Sequence, residues 1–145
     1  MTRFAYGPPP LLNDPFADEY TAPFWAATLR EQLTAPRCTK CGTFRMPPHR
    51  FCAKCQSQEI EWVPLPGTGR VYSFIVVRQA LRPDMIDHVP YMPAVIEADG
   101  APGMRFISKV VDCEPESVYV DMPVKVVWDH LSDSMVFPRW APVAG

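Results

Sequence analysis

The sequence predicts a mainly β chain: a small metal-clamped ribbon, then a small barrel or sandwich of five short strands, with one amphipathic helix in front of both. Three observations lead there. Four cysteines, Cys38, Cys41, Cys52 and Cys55, stand in a C-x2-C-x10-C-x2-C pattern. Eighteen prolines in 145 residues deny the chain long helices and punctuate its strands. Beyond residue 63, runs of β-branched and aromatic residues alternate with turn-forming clusters. The chain divides accordingly into an arm and helix (1–36), a ribbon (37–62) and a small barrel or sandwich (63–145).

Each element has its own reason. Residues 1–15 read as an extended arm, because Gly7, Pro8, Pro9 and Pro10 deny it regular structure. Residues 22–33 read as a helix. Thr21 can cap it, Pro23 sits in the first turn where a missing N–H costs little, and Pro36 ends it. Trp25, Leu29 and Leu33 fall at i, i+4 and i+8 and make one apolar stripe, widened by Phe24 and Thr28. A lone amphipathic helix cannot bury its own stripe. Trp25, Leu29 and Leu33 therefore face the body of the chain or a partner.

A C-x2-C pair folds into a knuckle that presents two sulfurs to one point, and two knuckles make a tetrahedral S4 site. Soft thiolates in closed geometry suit a structural Zn2+, with iron in a rubredoxin-like site as the other metal. Two disulfides are the remaining reading, but cysteines of one C-x2-C pair bridge poorly. Gly42, after Cys41, is free to take positive φ; at the second knuckle that place falls to Gln56. Phe44, Met46 and Phe51 are the ribbon's small core, and a module of this size is held mainly by its metal. His49 lies nearby, but four cysteines already fill the site.

The strands follow as Arg70–Ala80, Met92–Ala98, Met104–Val111, Pro123–Asp129 and Met135–Trp140, with a hairpin loop at Asp99–Gly103. A helical turn at Glu114–Ser117 falls between the third and fourth. Five short strands with that turn describe an OB-like barrel. The connection Leu81–Tyr91 carries Met85, Ile86, Val89 and Tyr91 among charged residues. Apolar side chains on a long loop either fold back or are offered to a partner, so these four join the helix stripe as interface candidates. Trp140 is either a third contact or a plug for the barrel's end.

The formal charge is −2. Four thiolates around a divalent ion would take it to about −4. An acidic chain is a poor general binder of nucleic acid, since phosphate neutralisation supplies most non-specific affinity. OB folds and zinc ribbons nonetheless both bind single strands on aromatic platforms. A single-stranded nucleic-acid-binding module, with Tyr72, Phe74 and Phe106 stacking on bases, is the alternative function. No apolar run reaches the roughly 20 residues of a membrane span, and the first residues show no signal segment. A cytoplasmic location is expected, and a thiolate site agrees with it.

Catalytic constellations are missing from the pattern. Nucleophilic cysteine catalysis needs an activated thiol with histidine bases. The spare cysteine, Cys113, sits between Asp112 and Glu114, whose charges raise a thiol's pKa. His88 falls in a loop, and His130 follows Asp129 at a strand end. The chain is expected not to be an enzyme by itself.

Six stretches carry a family resemblance: PRCTKCG (36–42), MPP (46–48), FCAKC (51–55), IEWVPLPGTGRVYSF (60–74), VDCEPESV (111–118) and MPVKVV (122–127). In this order they resemble the zinc-ribbon plus OB-fold proteins grouped as domain of unknown function 35, the acyl-CoA-associated family, over about residues 18–138. Two positions depart from it: Ala53 where members often have proline, and Asp121 where they often have glycine. The resemblance implies a rubredoxin-like zinc ribbon followed by a five-stranded OB-fold barrel. It also implies a non-catalytic accessory subunit in a hetero-oligomer. The partner would be a thiolase-superfamily enzyme (thiolase, acyltransferase or aldolase) or a hydratase. This chain would stabilise that partner and help form its acyl-CoA site, in some systems in steroid or fatty-acid side-chain degradation. CoA carries phosphates, and Arg45, Arg50, Arg70, Arg78, Arg82 and Arg105 are bidentate donors. Arg45 and Arg50, beside the knuckles, are the candidate CoA-phosphate contacts.

Overall fold

The structure is a computed structural model that describes residues 18–144; the arm expected over 1–15 lies outside the described residues. The entry to the first helix is organised by Asp18. Its Oδ1 accepts the N–H groups of Tyr20 and Thr21 at 3.0 and 2.8 Å. Helix α1 spans Ala22–Thr28, seven residues with Pro23 in the first turn. It is shorter than the 22–33 expected. The Thr28 hydroxyl donates to the Trp25 carbonyl at 2.9 Å, and Glu31 turns the chain with a φ of +54°. That turn carries Leu33 off the helix and into the core, where it is 2% exposed. The Leu33 carbonyl there accepts the Leu65 N–H at 2.8 Å. Leu33 is thus withdrawn from any partner. The buried side of α1, Phe24, Ala27 and Thr28, rests on the chain itself.

Strands β1 (Thr34–Cys38) and β2 (Ile60–Pro64) form an antiparallel pair with Pro36 opposite Trp62. Both knuckles lie between them, and β2 continues two residues past the expected end of the ribbon. Five further strands make a closed barrel: β3 (Thr68–Phe74), β4 (Met92–Ala98), β5 (Arg105–Val110), β6 (Pro123–Ser132) and β7 (Met135–Pro142). Their order around the barrel is β3-β4-β5-β7-β6, with β6 paired back onto β3. That is the OB-fold arrangement, and a 3-10 turn at Pro115–Ser117 sits between β5 and β6 as expected. Four of the five contacts are antiparallel ladders. The fifth, β5 to β7, is a parallel seam with one registered pair, Val110 and Trp140. The Val111 N–H donates to the Trp140 carbonyl at 2.8 Å and the Ser108 hydroxyl to the Pro138 carbonyl at 2.7 Å, which completes the seam.

The first barrel strand stops at Phe74, six residues before the expected end. A register shift at Val71 and Ser73 bends it, but the chain stays beside β4. The Ile75 N–H reaches the Pro93 carbonyl at 3.0 Å, and Val77 and Tyr91 exchange two backbone bonds of 2.9 and 3.1 Å. The Leu81–Tyr91 connection folds locally into a 3-10 helix, Pro83–His88, that the sequence pattern did not announce. Two tight places explain small residues. A Cβ on Gly69 would lie 2.4 Å from the Glu97 carbonyl oxygen, so only glycine lets β3 and β4 approach there. Asp121 takes a φ of +68° and donates its N–H to the Val71 carbonyl at 2.8 Å. Aspartate tolerates that conformation, so the turn into β6 needs no glycine.

Among the described residues, one core joins helix, ribbon and barrel. Val71, Met92, Ile96, Phe106, Val110, Val124 and Trp140 fill the barrel, and Phe24, Leu33 and Ala35 join the same cluster from the helix and ribbon side. Trp140, 0% exposed, is interior packing and not a surface contact. Among the described residues, no helix is long and apolar enough to cross a membrane.

Candidate metal centre and its surroundings

The two knuckles repeat one hydrogen-bond pattern. In the first, the Cys38 carbonyl accepts the Gly42 N–H and the Cys38 N–H donates to the Thr43 carbonyl, both at 2.9 Å. In the second, the Cys52 carbonyl accepts the Gln56 N–H and the Cys52 N–H donates to the Ser57 carbonyl, again both at 2.9 Å. Gly42 and Gln56 occupy the same left-handed position, with φ of +74° and +61°. Gln56 thus accepts a conformation that favours glycine.

The four Sγ atoms lie within 4.8 Å of one another. Cys38 and Cys55 are 3.6 Å apart, and Cys41 and Cys52 are 3.5 Å apart. A disulfide needs about 2.05 Å, so the disulfide reading falls. Metal–sulfur bonds of about 2.3 Å at tetrahedral angles put sulfurs about 3.8 Å apart, and the cluster fits that spacing. Cys38 and Cys52 are buried, Cys55 is half-buried and Cys41 is exposed, so the centre sits at the ribbon's surface with its inner half sealed. The electrostatics also ask for a cation. The Thr43 hydroxyl and N–H draw the Cys41 thiol down to about 6. At Cys55 the Ser57 backbone favours the thiolate, but burial and the three other sulfurs outweigh it and push the thiol up to about 11. Four sulfurs this close cannot all ionise without a positive ion among them. The donor set and spacing suit a structural Zn2+ held by Cys38, Cys41, Cys52 and Cys55. His49 is exposed and lies outside the cluster.

The two ribbon arginines go different ways. Arg50 is exposed, its guanidinium 5.9 Å over the Phe51 ring and its Nε donating to Gln58 Oε1 at 3.3 Å. Arg45 turns inward and is 8% exposed, with Nε and Nη2 sealed from solvent. A phosphate cannot reach those two nitrogens, so Arg45 is withdrawn from the candidate CoA contacts. Four other arginines are held in surface ion pairs: Arg37 with Glu61, Arg78 with Glu116, Arg82 with Asp84 and Arg105 with Glu97.

Of the apolar interface candidates, Leu29 and Ile86 stay exposed, at 45% and 63%. Trp25 packs edge-on against both Phe24 and Phe137 with ring centroids 5.0 Å apart. Met85, Val89 and Tyr91 are half-buried. Of the three base-stacking candidates, Phe106 is 5% exposed in the core, Phe74 is half-buried, and Tyr72 is exposed with the Arg105 guanidinium 3.7 Å from its ring. Cys113 packs against the core, and burial raises its thiol pKa, as do Asp112 and Glu114.

Two features were not legible beforehand. A cleft of about 350 Å3 opens between α1, the 46–48 segment and the edges of β5 and β7. Phe24, Trp25, Met46, Phe137 and Pro138 give it apolar walls, and Arg105, Ser108 and Arg139 also line it. The second is a buried charge cluster, Lys109, Asp129 and Arg139, on three adjacent strands, with Arg139 Nε on Asp129 Oδ2 at 3.2 Å. Period-two alternation would have marked these positions as outward-facing.

A four-thiolate ribbon that shares one core with an OB barrel defines the class: a zinc-ribbon–OB-fold protein. Comparison with known proteins specifies it. Residues 25–61 match the ChsH2 rubredoxin-like zinc ribbon domain and residues 62–129 the ChsH2 C-terminal OB-fold domain. A DUF35 domain-containing scaffold protein of Methanocaldococcus jannaschii is 37% identical over 102 residues, 70% of each chain. A probable enoyl-CoA hydratase alpha subunit of Thermomonospora curvata is 32% identical over 82% of this chain, which spans only 36% of that longer protein. Among solved structures, the Ltp2-ChsH2(DUF35) aldolase superposes with a TM-score of 0.80 at 28% identity, covering 90% of this chain and 99% of that one. The chain belongs to the DUF35 family of zinc-ribbon–OB-fold proteins.

Proposed function

We propose that this chain is a non-catalytic accessory subunit on which a thiolase-superfamily enzyme or a hydratase assembles. The observation that carries the reading is the whole-length likeness to a chain of an aldolase complex, supported by a scaffold protein and a hydratase subunit among its relatives. In this reading the chain stabilises its partner within a hetero-oligomer in the cytoplasm, where thiolates stay reduced. It also lends a wall to the partner's acyl-CoA site. The cleft beside α1 suits such a wall, because its hydrocarbon sides match an acyl chain. Arg50 is the remaining ribbon contact for a CoA phosphate, and Leu29 and Ile86 the remaining apolar contacts for the partner. Steroid or fatty-acid side chains are the acyl groups the family resemblance implies.

The test is co-expression with thiolase-superfamily enzymes and hydratases from the same organism, followed by purification through a tag on this chain. The expected result is a stoichiometric complex that turns over an acyl-CoA thioester, while this chain alone turns over none. Turnover by the isolated chain, or monomeric behaviour beside every such enzyme, would overturn the proposal.

A further inference from the structure

Arg45 poses a physical problem that the fold alone leaves open. Its side chain is 8% exposed, yet Nε and Nη2 have no hydrogen-bond partner, and no carboxylate among the described residues pairs with it. Arginine stays protonated at any pH the protein meets. A buried cation with one weak bond is expensive unless a negative charge stands close by. The backbone shows where that charge is. The Arg45 N–H is tied to the Pro36 carbonyl at 3.0 Å, two residues from Cys38. Arg45 Nη1 donates to the Ser57 carbonyl at 3.3 Å, and that same oxygen accepts the Cys52 N–H at 2.9 Å. The guanidinium is therefore one carbonyl away from a buried ligand of the centre. Four thiolates around Zn2+ carry a net −2, and no other anionic group among the described residues is paired with Arg45.

We propose that Arg45 is the internal counter-cation of the tetrathiolate centre: a positioning residue that holds metal affinity through charge, with no bond to the ion. It is distinct from the exposed basic residues of the ribbon, Lys40, Arg50 and Lys54, whose charge water and salt screen. Burial puts Arg45 in a medium where its attraction for the dianion is strong and nearly insensitive to salt.

The test is a zinc competition against a chromophoric chelator, on the intact chain, at low and at high ionic strength. Arg45→Gln keeps a donor for the Ser57 carbonyl and removes the charge. It should release zinc about 10- to 100-fold more readily, the range for changes just outside a ligand shell. The loss should persist at high salt. Arg45→Lys, which keeps the charge, and Arg50→Gln, which removes an exposed one, should both stay close to the parent. The thiolate-to-cobalt absorption of Co2+-loaded protein should be the same in all four, showing that the ligand set is intact. Unchanged zinc affinity in Arg45→Gln would overturn the proposal. So would an equal loss in Arg45→Lys, which would assign the role to hydrogen-bond geometry, or in Arg50→Gln, which would assign it to overall ribbon charge. Where Arg45→Gln does not fold, a tenfold or greater loss of zinc affinity in Arg45→Lys or in Arg50→Gln still overturns the proposal.

Discussion

Removing the metal should melt the knuckles and stop at a definite residue. Within 39–59 the apolar support is thin: Phe44 and Met46 are half-buried and Phe51 is 50% exposed. Two such side chains contribute about 3 kcal/mol at best. A structural zinc site contributes about 10–16 kcal/mol, comparable to the whole stability of an ordinary domain. The ion therefore dominates this segment. It does not dominate the strands that flank the knuckles. Thr34, Ala35 and Pro36 are buried in β1, and the Leu33 carbonyl holds the Leu65 N–H, so both ribbon strands are anchored to the barrel. Hydrogen exchange before and after chelation reads the boundary. The N–H groups of Gly42, Cys52 and Gln56, which close the knuckles, should lose protection once zinc has left. Those of β4, between β3 and β5, should keep theirs. Knuckle amides that stay protected in verified metal-free protein would refute the reasoning, and so would simultaneous loss across β4.

Three further outcomes concern the barrel. Asp129→Asn removes the carboxylate beside buried Arg139 and Lys109 and should cost about 3–5 kcal/mol in denaturant unfolding; a loss below 1 kcal/mol would contradict the assigned cluster. Burial, reinforced by Arg139 and opposed by Asp129, brings Lys109 down to about 8. The unfolded chain then binds that proton more readily than the folded one, so the penalty is full below pH 8 and disappears as pH rises toward the ordinary lysine value of 10.5. Raised Cys113 acts in the opposite sense, so the comparison is between the parent and Lys109→Met. The variant's stability advantage, at most about 3 kcal/mol, should shrink between pH 8 and 10.5, and a pH-independent difference would refute the assignment. Gly69→Ala drives a methyl to 2.4 Å from the Glu97 carbonyl and should lower stability by about 1–3 kcal/mol; an unchanged melting temperature would show that β3 and β4 are further apart than described.

The metal centre was readable because its information is local. Two C-x2-C pairs fix both ligand and turn, and the structure adds only that Gln56 serves where Gly42 does. The strands were readable for the same reason, and Met92–Ala98 falls where its sequence pattern put it. The errors have a common cause in tertiary contact. The i, i+4, i+8 stripe suggested a longer helix, but the core claimed Leu33 from a turn. Apolar residues beyond Phe74 suggested a longer strand, but past Phe74 only scattered backbone bonds, Ile75 to Pro93 and Val77 with Tyr91, continue beside β4. Arg45 resembled Arg50 in the sequence, and only the fold shows one sealed and the other in water.

The seam between β5 and β7 bears on how the cleft behaves. With one registered pair, against three between β3 and β6 and eight between β6 and β7, this seam has the fewest backbone rungs in the barrel, and local opening costs least where rungs are fewest. Ser108 and Pro138, whose 2.7 Å bond bridges the gap, are also part of the cleft's lining. A separation of β5 from β7 at these residues would therefore widen the cleft beyond its volume of about 350 Å3.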